Sequence, residues 1–490
     1  MEVETEAGTT IRRRLTRRST FRIAGTFAAV ALLGCAAPAP IVVRPTPTSS
    51  STAIPATKTP ASPTSEPTAT DTAPTPVPSA TAVPTPIPRT ATWWTGPADS
   101  TWLGASNEAL RQLTLASPEF TVKVSGGHAD FGRIIAGLAS GQSPDVVDIG
   151  MVGPFASRGV LRSIDDLVGQ GTTSASNYAT PMWLNGSWTG KMYGIPALDH
   201  GPELGLVWNS SLAGGELMVG SPPTRWDELC RAGRSLTQPA TTGTIERLGF
   251  DPLDGVGSLL DTVRDLTGEE WYDSTSKRVT LANTGYQTFL EGVLAYYASV
   301  GAERVAQFRQ DVSPLTDSMD SGFIQGRQVA LLTGYWTIGA MAQPEHDHNW
   351  KFASTWSPTL DGKQSIQRLG GRLAAIPVAA KNPPTSWDLV TFLAGDVTNG
   401  IFLDRTGRFS ASRSFVNGAT WENHPNLTFF LESITSATIL SARGNNAVAG
   451  FAQVKWDQAI DDVISGRRGT SDALSVAQSG IEAEVRRLGA

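Results

Sequence analysis

The segment Met192–Asn209, MYGIPALDHGPELGLVWN, decides how the whole sequence is interpreted. Gly201-Pro202 interrupts it, and the apolar run Leu204–Trp208 that follows is typical of a buried strand bounded by turns. Three ionisable residues lie beside the interruption: Asp199, His200 and Glu203. Such a strand can stay within one domain or cross between two. We predict that it crosses, and that the polar residues line a cleft between the domains.

The length of the chain indicates more than one hydrophobic core, because cores stop growing at about 250–300 residues and this chain has 490. A net charge of −6 does not supply the basic face that nucleic-acid binding requires, so no nucleic-acid partner is expected. The chain has two cysteines, too few for a disulfide framework. Cys230 has no obvious partner, and we expect a small buried thiol.

Residues 1–34 are typical of a secretory signal peptide. Arginines cluster between Ile11 and Arg22, and the apolar segment Ile23–Gly34 that follows is too short to span a bilayer core of ~30 Å. Leu32–Cys35 resembles the bacterial lipoprotein box, whose cysteine becomes the acylated first residue. The resemblance implies lipidation at Cys35 and anchoring to the outer face of the cell membrane; an unmodified cysteine is the alternative. Arg17-Arg18 leaves the general and twin-arginine export routes both open.

Residues 35–90 are predicted to form a disordered tether. They consist mainly of Pro, Thr, Ser and Ala, so they bury too little apolar surface to offset the entropy of ordering. Repeated Thr-Pro and Val-Pro pairs favour extended polyproline II at about 3.1 Å per residue, which gives a reach on the order of 100 Å. The tether would hold the folded part away from the membrane.

Strands alternate with helices along the remaining chain, which predicts an α/β fold. Phe131–Ser140 is patterned as an amphipathic helix, and Asp145–Gly150 as a strand covered on both faces. This alternation predicts parallel sheets that bind ligands beyond the carboxyl ends of their strands. Three segments are then expected close together at the edge of the sheet where a ligand would bind: Trp94–Asp99, Asp148–Phe155 and Asp199–Glu203.

Six ordered segments together resemble the family 1 extracellular solute-binding proteins of ABC importers, the group that contains maltose-binding protein. Each is weak alone, but their order along the chain makes the resemblance specific, and it covers about residues 91–485. The segments are Ala139–Val147, Gly159–Leu167, Lys191–Asn209, Pro223–Leu229, Phe323–Trp336 and Lys381–Leu393.

The resemblance implies a two-lobe, periplasmic-binding-protein-like α/β fold of type II with a ligand cleft between the lobes. Lobe 1 is then expected at 91–207 plus 373–415, and lobe 2 at 208–372 plus 416–490. It also implies a monomer that delivers its ligand to the transmembrane subunits of an ABC permease. Ligand contacts with both lobes would favour a closed arrangement.

Aromatic side chains are the first candidates for binding a sugar, because rings stack on the apolar CH faces of sugars. The chain has 14 tryptophans. Trp336 lies where the family often places a stacking aromatic residue. Trp94, Trp102 and Trp356 are further candidates. Ordinary core packing is the alternative for Trp336, Trp94 and Trp102, and Trp356 lies in a predicted loop before Pro358.

Polar side chains complete the expected site, since sugar hydroxyls take charge-assisted hydrogen bonds. The structural alternatives are a solvated loop or hinge bond for the residues beside the interruption, a helix cap for Asp148, and an ion pair for Arg372. The candidates are Asp99, Asp148, Asp199, His200, Glu203 and Arg372.

The sequence shows no signature of an enzyme: it lacks a GxSxG elbow, an HExxH helix and a Walker loop. His346-Asp347-His348 has no third ligand nearby, so a solvated loop is the better interpretation and no metal or cofactor is expected. Carbohydrate binding is therefore the leading hypothesis. A non-sugar solute in the same fold (a polyamine, a phosphodiester or a peptide) and a stalked glycan-processing enzyme are the alternatives.

Overall fold

The computed structural model describes residues 87–489, apart from 129–130, 170–172, 218–220, 257–259 and 344–350. The predicted signal peptide, Cys35 and nearly all of the tether lie outside the described residues, as does the His346–His348 cluster. None of the helices in the described part combines the length and the apolarity that crossing a bilayer demands.

Strands of two to ten residues make up the sheets. In chain order they are β1 Arg89–Trp94, β2 Phe120–Ser125, β3 Val146–Ile149, β4 Ser187–Trp188, β5 Lys191–Met192, β6 Gly194–Pro202, β7 Gly205–Asn209, β8 Gln238–Pro239, β9 Ile245–Phe250, β10 Tyr272–Asp273, β11 Arg278–Val279, β12 Gln328–Thr333, β13 Phe352–Thr355, β14 Ile366–Ala375 and β15 Ile439–Ala442.

Helices pack around these sheets. In chain order they are α1 Ser100–Ala116, α2 Phe131–Ala139, α3 Gly153–Ala156, α4 Thr180–Asn185, α5 Trp226–Leu236, α6 Leu260–Thr267, α7 Thr284–Val300, α8 Ala302–Asp311, α9 Tyr335–Met341, α10 Pro383–Leu393, α11 Asp396–Thr406, α12 Arg413–Gly418, α13 Thr428–Ser436, α14 Ala449–Ile464 and α15 Thr470–Leu488. Short 3₁₀ turns lie at Ala175–Asn177, Gly214–Leu217, Trp421–Asn423 and Pro425–Leu427.

Two mixed sheets carry the fold. The first has the order β15-β14-β3-β1-β2 with β6 also paired to β14, and the second has the order β13-β7-β12-β9-β8. Pairs β1–β2 and β1–β3 are parallel, as the alternation of strands and helices predicts. The expectation of wholly parallel sheets is wrong, however, because β14 runs antiparallel to both β3 and β6, and β7 runs antiparallel to β12.

The segment Met192–Asn209 passes from the first sheet to the second. Strand β6 belongs to the first sheet and β7 to the second, so only Glu203-Leu204 separates the two sheets along the chain. Every residue of β6 and β7 is buried. Burial of successive residues means that both faces of these strands are covered, which is typical of strands inside the fold.

Two of the expected lobe boundaries fall at different places from the sheet boundaries. Strand β14 is bonded to first-sheet strands from Ile366 onwards, so the expected boundary at 372/373 lies inside a strand of the first sheet. Strand β15 also joins the first sheet, which extends that sheet beyond the expected end of lobe 1 at residue 415. A pairing partner more than 60 residues away leaves no local mark in the sequence, which explains both differences.

Each sheet has its own hydrophobic core. Trp93 and Ile195 lie in the core of the first sheet, together with α10 and α11. Trp208 lies in the core of the second sheet, which the carboxyl-terminal helices α14 and α15 complete with Trp456 and Ile481. The first core also takes in Val207 and Leu331 from second-sheet strands, so the two halves share apolar contacts around the crossing.

Cys230 is a free, buried thiol on α5, as the sequence predicts. Burial raises the pKa of this thiol to about 12. Because the thiolate is the reactive form, the side chain serves packing rather than chemistry.

Candidate functional site

A bulge in β14 positions the first functional side chain. Gly371 adopts φ 134°, and the pairing of β14 with β6 shifts between Gly371 and Leu373. A Cβ atom at Gly371 would lie 2.1 Å from the carbonyl oxygen of Asp199, so only glycine fits there. The bulge re-aims Arg372, the residue that it contains.

Arg372 is held by a set of side chains at the carboxyl ends of β1 and β3. Its Nη1 donates to Asp148 Oδ1 at 2.6 Å, and its guanidinium lies 5.1 Å from the ring centroid of Trp102. Thr95 Oγ1 donates to Asp148 Oδ2 at 2.5 Å and accepts from Trp102 Nε1 at 2.8 Å. Asp148 is fully buried, whereas the side chain of Arg372 is 23% exposed. The carboxylate is therefore structural, and the guanidinium reaches solvent.

His200 fixes the backbone beside this arginine. Its Nδ1 lies 3.0 Å from the carbonyl oxygen of Arg372, and its Nε2 lies 3.3 Å from Nδ2 of Asn185. Burial lowers the pKa of His200 to about 4, so the ring is neutral at neutral pH. A neutral ring that is protonated on Nδ1 satisfies both contacts: it donates to the carbonyl and accepts from the amide.

Asp199 contacts an aromatic residue of α9, the helix that follows second-sheet strand β12. It accepts from the hydroxyl of Tyr335 at 2.5 Å and forms an ion pair with Arg408, which also pairs with Asp317. Burial opposes ionisation of Asp199, but Arg408 and Arg372 outweigh it and its pKa is lowered. The carboxylate is thus ionised, and both of its oxygens are occupied by protein donors.

Glu203 lies at the crossing between two arginines. Arg368 Nε donates to it at 3.0 Å, and Arg443 pairs with both of its oxygens. Arg368 is fully buried and also bonds Asp265 at 2.7 Å and Thr262 at 2.9 Å on α6. These bonds connect β14, the crossing and α6, which supports the hinge interpretation of Glu203.

Trp336 lies at the boundary between the two halves. It is partly buried and packs against the cores of both sheets. Its Nε1 donates to Thr316 Oγ1 at 3.2 Å, and its ring meets that of Tyr335 at an interplanar angle of 72°. Since Tyr335 bonds Asp199, Trp336 is connected to the polar residues of the crossing.

Three expected site residues have other surroundings. Trp94 stacks on His128, with ring centroids 4.1 Å apart. Asp99 is exposed and caps α1, where it accepts a backbone N–H bond of 2.8 Å. Trp356 makes an edge contact with Phe429 at 5.4 Å. Each of these contacts gives the residue a structural role, and ligand contact at the three positions stays a prediction.

Apart from Glu203, the remaining candidates form one connected set. Contacts run from Trp336 through Tyr335 to Asp199, from His200 to Arg372, and on to Asp148 and Trp102. Trp336 and Arg372 are the partly exposed members of this set and offer aromatic surface and a guanidinium, whereas Trp102, Asp148 and His200 are buried behind them. Among the described residues, no cluster of three or more His, Cys, Asp or Glu side chains is arranged to hold a metal ion. Such an arrangement suits recognition of a polar organic molecule.

Several residues of the site were not identified from the sequence. Arg368 and Arg443 reach Glu203 across 165 and 240 residues, and no local pattern encodes such contacts. A weak signal existed for Arg443, because it opens the polar run Arg443–Asn446 between a strand and a helix. Thr95 and Tyr335 follow the carboxyl ends of strands β1 and β12, where ligands of α/β sheets often bind, whereas Arg408 follows the helix α11 and has no such signal.

The chain is similar to known proteins in both sequence and fold. The sequence model of a family described as "Bacterial extracellular solute-binding protein" matches residues 108–428. The structure of CpMnBP1 with mannobiose bound is similar with a TM-score of 0.71 and 20% identity, covering 80% of this chain and 99% of that one. No curated protein sequence matches the chain significantly.

Two further solved structures have the same architecture. An ABC transporter solute-binding protein from Thermotoga lettingae, bound with alpha-D-tagatose, has a TM-score of 0.68 and 18% identity, covering 81% of this chain and 99% of that one. A maltose/maltodextrin-binding domain from Bdellovibrio bacteriovorus, bound to maltotriose, has a TM-score of 0.65 and 17% identity, covering 81% and 100%. At these identities the likeness is one of fold: a mixed α/β two-lobe fold.

Proposed function

The chain belongs to the family of bacterial extracellular solute-binding proteins, and from this premise we propose that it captures a carbohydrate in the interlobe cleft and delivers it to an ABC permease. The observation that carries the proposal is the position of Trp336, which packs against the cores of both halves and is connected to ionised side chains at the crossing. Similar structures carry mannobiose, tagatose and maltotriose, which supports the choice of ligand class.

The chemistry of the site matches that of a sugar. A pyranose has apolar CH faces that stack on an indole ring, and Trp336 supplies this surface. Its hydroxyls both donate and accept hydrogen bonds, and a guanidinium such as that of Arg372 offers charge-assisted donors. Because Arg372 is paired with a buried carboxylate, its orientation is set before the ligand arrives.

Capture would work through the crossing segments. The ligand contacts groups from both lobes only when the lobes approach each other, so it stabilises the closed arrangement by its additional contacts in that state. The two halves meet at Glu203-Leu204, where the fully buried Arg368 ties β14 to α6. No bond of the ligand is broken in this cycle.

In this proposal Cys35 carries the lipid anchor, residues 35–90 form the spacer, and the monomeric folded part takes its ligand outside the cell. The replacement Cys35→Ser tests the anchor: we expect the peptide of the parent protein that begins at Cys35 to carry a fatty-acyl mass increment, and the corresponding peptide of the variant to carry none. An unmodified Cys35 in the parent protein would contradict lipidation.

Isothermal titration against a panel of mono- and oligosaccharides that includes mannobiose, maltotriose and tagatose tests the function. We expect saturable binding of at least one neutral sugar, accompanied by a change in tryptophan fluorescence. Polyamines, phosphodiesters and short peptides form the comparison arm. Binding in that arm alone, with none of the sugars bound, would contradict the proposal.

A further inference from the structure

A cluster of three buried threonine hydroxyls lies next to the indole nitrogen of Trp336. Thr316 Oγ1 accepts from Trp336 Nε1 at 3.2 Å and from Thr337 Oγ1 at 2.8 Å. Thr333 Oγ1 lies 2.7 Å from Thr337 Oγ1 and 3.4 Å from Thr316 Oγ1. Thr333 and Thr337 are fully enclosed, and Thr316 is 8% exposed. A cycle in which each hydroxyl donates to the next satisfies all three groups and leaves one acceptor lone pair of Thr316 for the indole.

The other end of the indole is held by its shape. A Cβ atom at Gly334 would overlap Cζ3, Cε3 and Cη2 of Trp336, so the six-membered ring lies directly against this glycine. The ring is therefore fixed at both ends, at its nitrogen by Thr316 and at its six-membered ring by Gly334. Because the nitrogen is already bonded inside the protein, a ligand would meet the carbon surface of the indole.

Thr316 belongs to the 313–321 loop, which lies between α8 and β12. An isolated β-bridge joins the first and last residues of this loop. Its larger apolar side chains, Leu315 and Met319, are 65% and 48% exposed, so the burial of apolar surface contributes little to the position of the loop. The position of the loop therefore depends on its polar contacts.

Asp317 supplies the second of these contacts and connects the loop to the polar residues of the crossing. It forms an ion pair with Arg408, which also pairs with Asp199, and Asp199 accepts from the hydroxyl of Tyr335 at 2.5 Å. Tyr335 directly precedes the tryptophan, and Asp317 directly follows the threonine that bonds the indole, so the contacts close into a ring. A displacement of the loop would therefore disturb the indole and the ion pairs together.

We propose that Thr316 and Asp317 are positioning residues for ligand binding: the 313–321 loop holds the Trp336 indole by its nitrogen, so that the carbon surface of the ring is presented to a sugar. This inference rests on the proposed carbohydrate function and extends it by two residues that act through the tryptophan. A ring that is fixed before the ligand arrives loses less conformational freedom on binding than a mobile ring does, so the loop raises the affinity.

The replacement Thr316→Val tests the proposal, because it removes the hydroxyl and keeps the branched shape of the side chain. We expect the Kd for the tightest-binding neutral sugar of the panel to rise at least tenfold. The indole N–H resonance of Trp336, assigned with Trp336→Phe, should move upfield as its hydrogen bond is lost. Thr316→Ser keeps the hydroxyl and should restore the parent Kd and the parent resonance. Thr398→Val is the matched control, since Thr398 is also buried and its hydroxyl bonds the carbonyl oxygen of Phe392 at 2.7 Å. The control should keep the parent Kd.

A second variant, Asp317→Asn, leaves the hydroxyl cluster intact. The side chain of Asp317 is 23% exposed, and the amide that replaces it cannot form the ion pair with Arg408. We expect a rise of at least tenfold in Kd and a shift of the same indole resonance, although Thr316 is unchanged. Glu119→Gln is the matched control: this carboxylate is 24% exposed and pairs with Arg89, an arginine that also has a second carboxylate partner. The control should bind sugar with the parent Kd.

The outcomes separate the two proposals. A parent protein that binds no sugar contradicts carbohydrate capture and the positioning role together. Sugar binding that is unchanged in both Thr316→Val and Asp317→Asn overturns the positioning role and leaves carbohydrate capture intact. An equal rise in Kd in the two control variants overturns it as well, because the effect would then be a general one. If Thr316→Val does not fold, the comparison of Asp317→Asn with Glu119→Gln decides the question.

Discussion

Arg368 and Arg372 lie four residues apart on the same strand, and each is paired with a buried carboxylate. Arg368 is fully enclosed and bonds groups from the crossing and from α6, whereas 23% of the Arg372 side chain is exposed. The two ion pairs are chemically alike, so the difference lies in what surrounds them. An enclosed guanidinium holds the parts of the protein together, while an open one keeps donors available for another molecule.

The largest expected effect is on stability, at Arg368. Replacement by Met leaves Glu203 and Asp265 each one partner short inside the protein, and removing one partner of a buried ion pair costs about 3–5 kcal/mol. Urea unfolding should show this loss, and Arg372→Met should lose clearly less. Equal losses in the two variants would remove the distinction between an enclosed and an open arginine.

The next largest expected effect is on the pH dependence of stability. It belongs to His200, whose ring contacts the backbone of Arg372. Its pKa falls to about 4 in the folded protein because burial disfavours the charged ring. As the pH decreases from about 6.5 to about 4, the unfolded chain takes up the proton first and stability is lost, by roughly 3 kcal/mol over the interval. The full contribution of His200 to stability is therefore present above about pH 6.5, the pKa of the ring in the unfolded chain.

The replacement His200→Gln should remove this component of the acid sensitivity. The free energy of unfolding of parent and variant, measured between pH 7 and pH 4, gives the difference, in which the contributions of the carboxyl groups largely cancel. Parallel curves for the two proteins would show that His200 does not titrate as a buried neutral ring.

Trp336 is expected to affect the affinity for the ligand, because its ring contacts the cores of both sheets. We expect Trp336→Leu to weaken sugar binding by roughly 30-fold, which corresponds to about 2 kcal/mol. Trp421→Leu is the matched control, because Trp421 is also partly buried and also donates through its indole nitrogen. Equal Kd values for the two variants would argue against stacking on Trp336.

The smallest expected effect belongs to Arg372→Lys. Lysine keeps the charge next to Asp148 but offers no planar edge, so a tenfold rise in Kd, about 1.4 kcal/mol, is expected. Thermal denaturation should show little change, because lysine still neutralises the carboxylate. A large loss of stability without loss of binding would reverse the roles assigned to Arg368 and Arg372.

The crossing segment could be predicted because its signals are local. A glycine-proline interruption followed by an apolar run lies within 18 residues, and the structure places the passage between the sheets there. The order of six short segments predicted the family, because each is also a local pattern. Local patterns are therefore sufficient to predict the crossing between the two sheets and the fold class.

The partners of the charged residues could not be predicted. Asp148 meets Arg372 across 224 residues, and Glu203 meets Arg443 across 240, so sheet order rather than spacing determines these pairs. Asp99 is a different case: the sequence analysis proposed it as a ligand contact, and the structure shows that it caps α1. The preference of ligand sites for the carboxyl ends of strands grouped Trp94–Asp99 with Asp148–Phe155, and the structure brings Thr95 and Asp148 together, but this preference does not give the role of each side chain.

The buried thiol of Cys230 makes the protein suitable for conversion into an optical sensor. With its pKa raised to about 12, this thiol presents almost no nucleophile to a maleimide dye at neutral pH, and the proposed acylation occupies the sulfur of Cys35. A cysteine introduced at an exposed position such as Val378 would then be the one site that reacts. A fluorophore attached there could report nutrient capture without first removing a native cysteine.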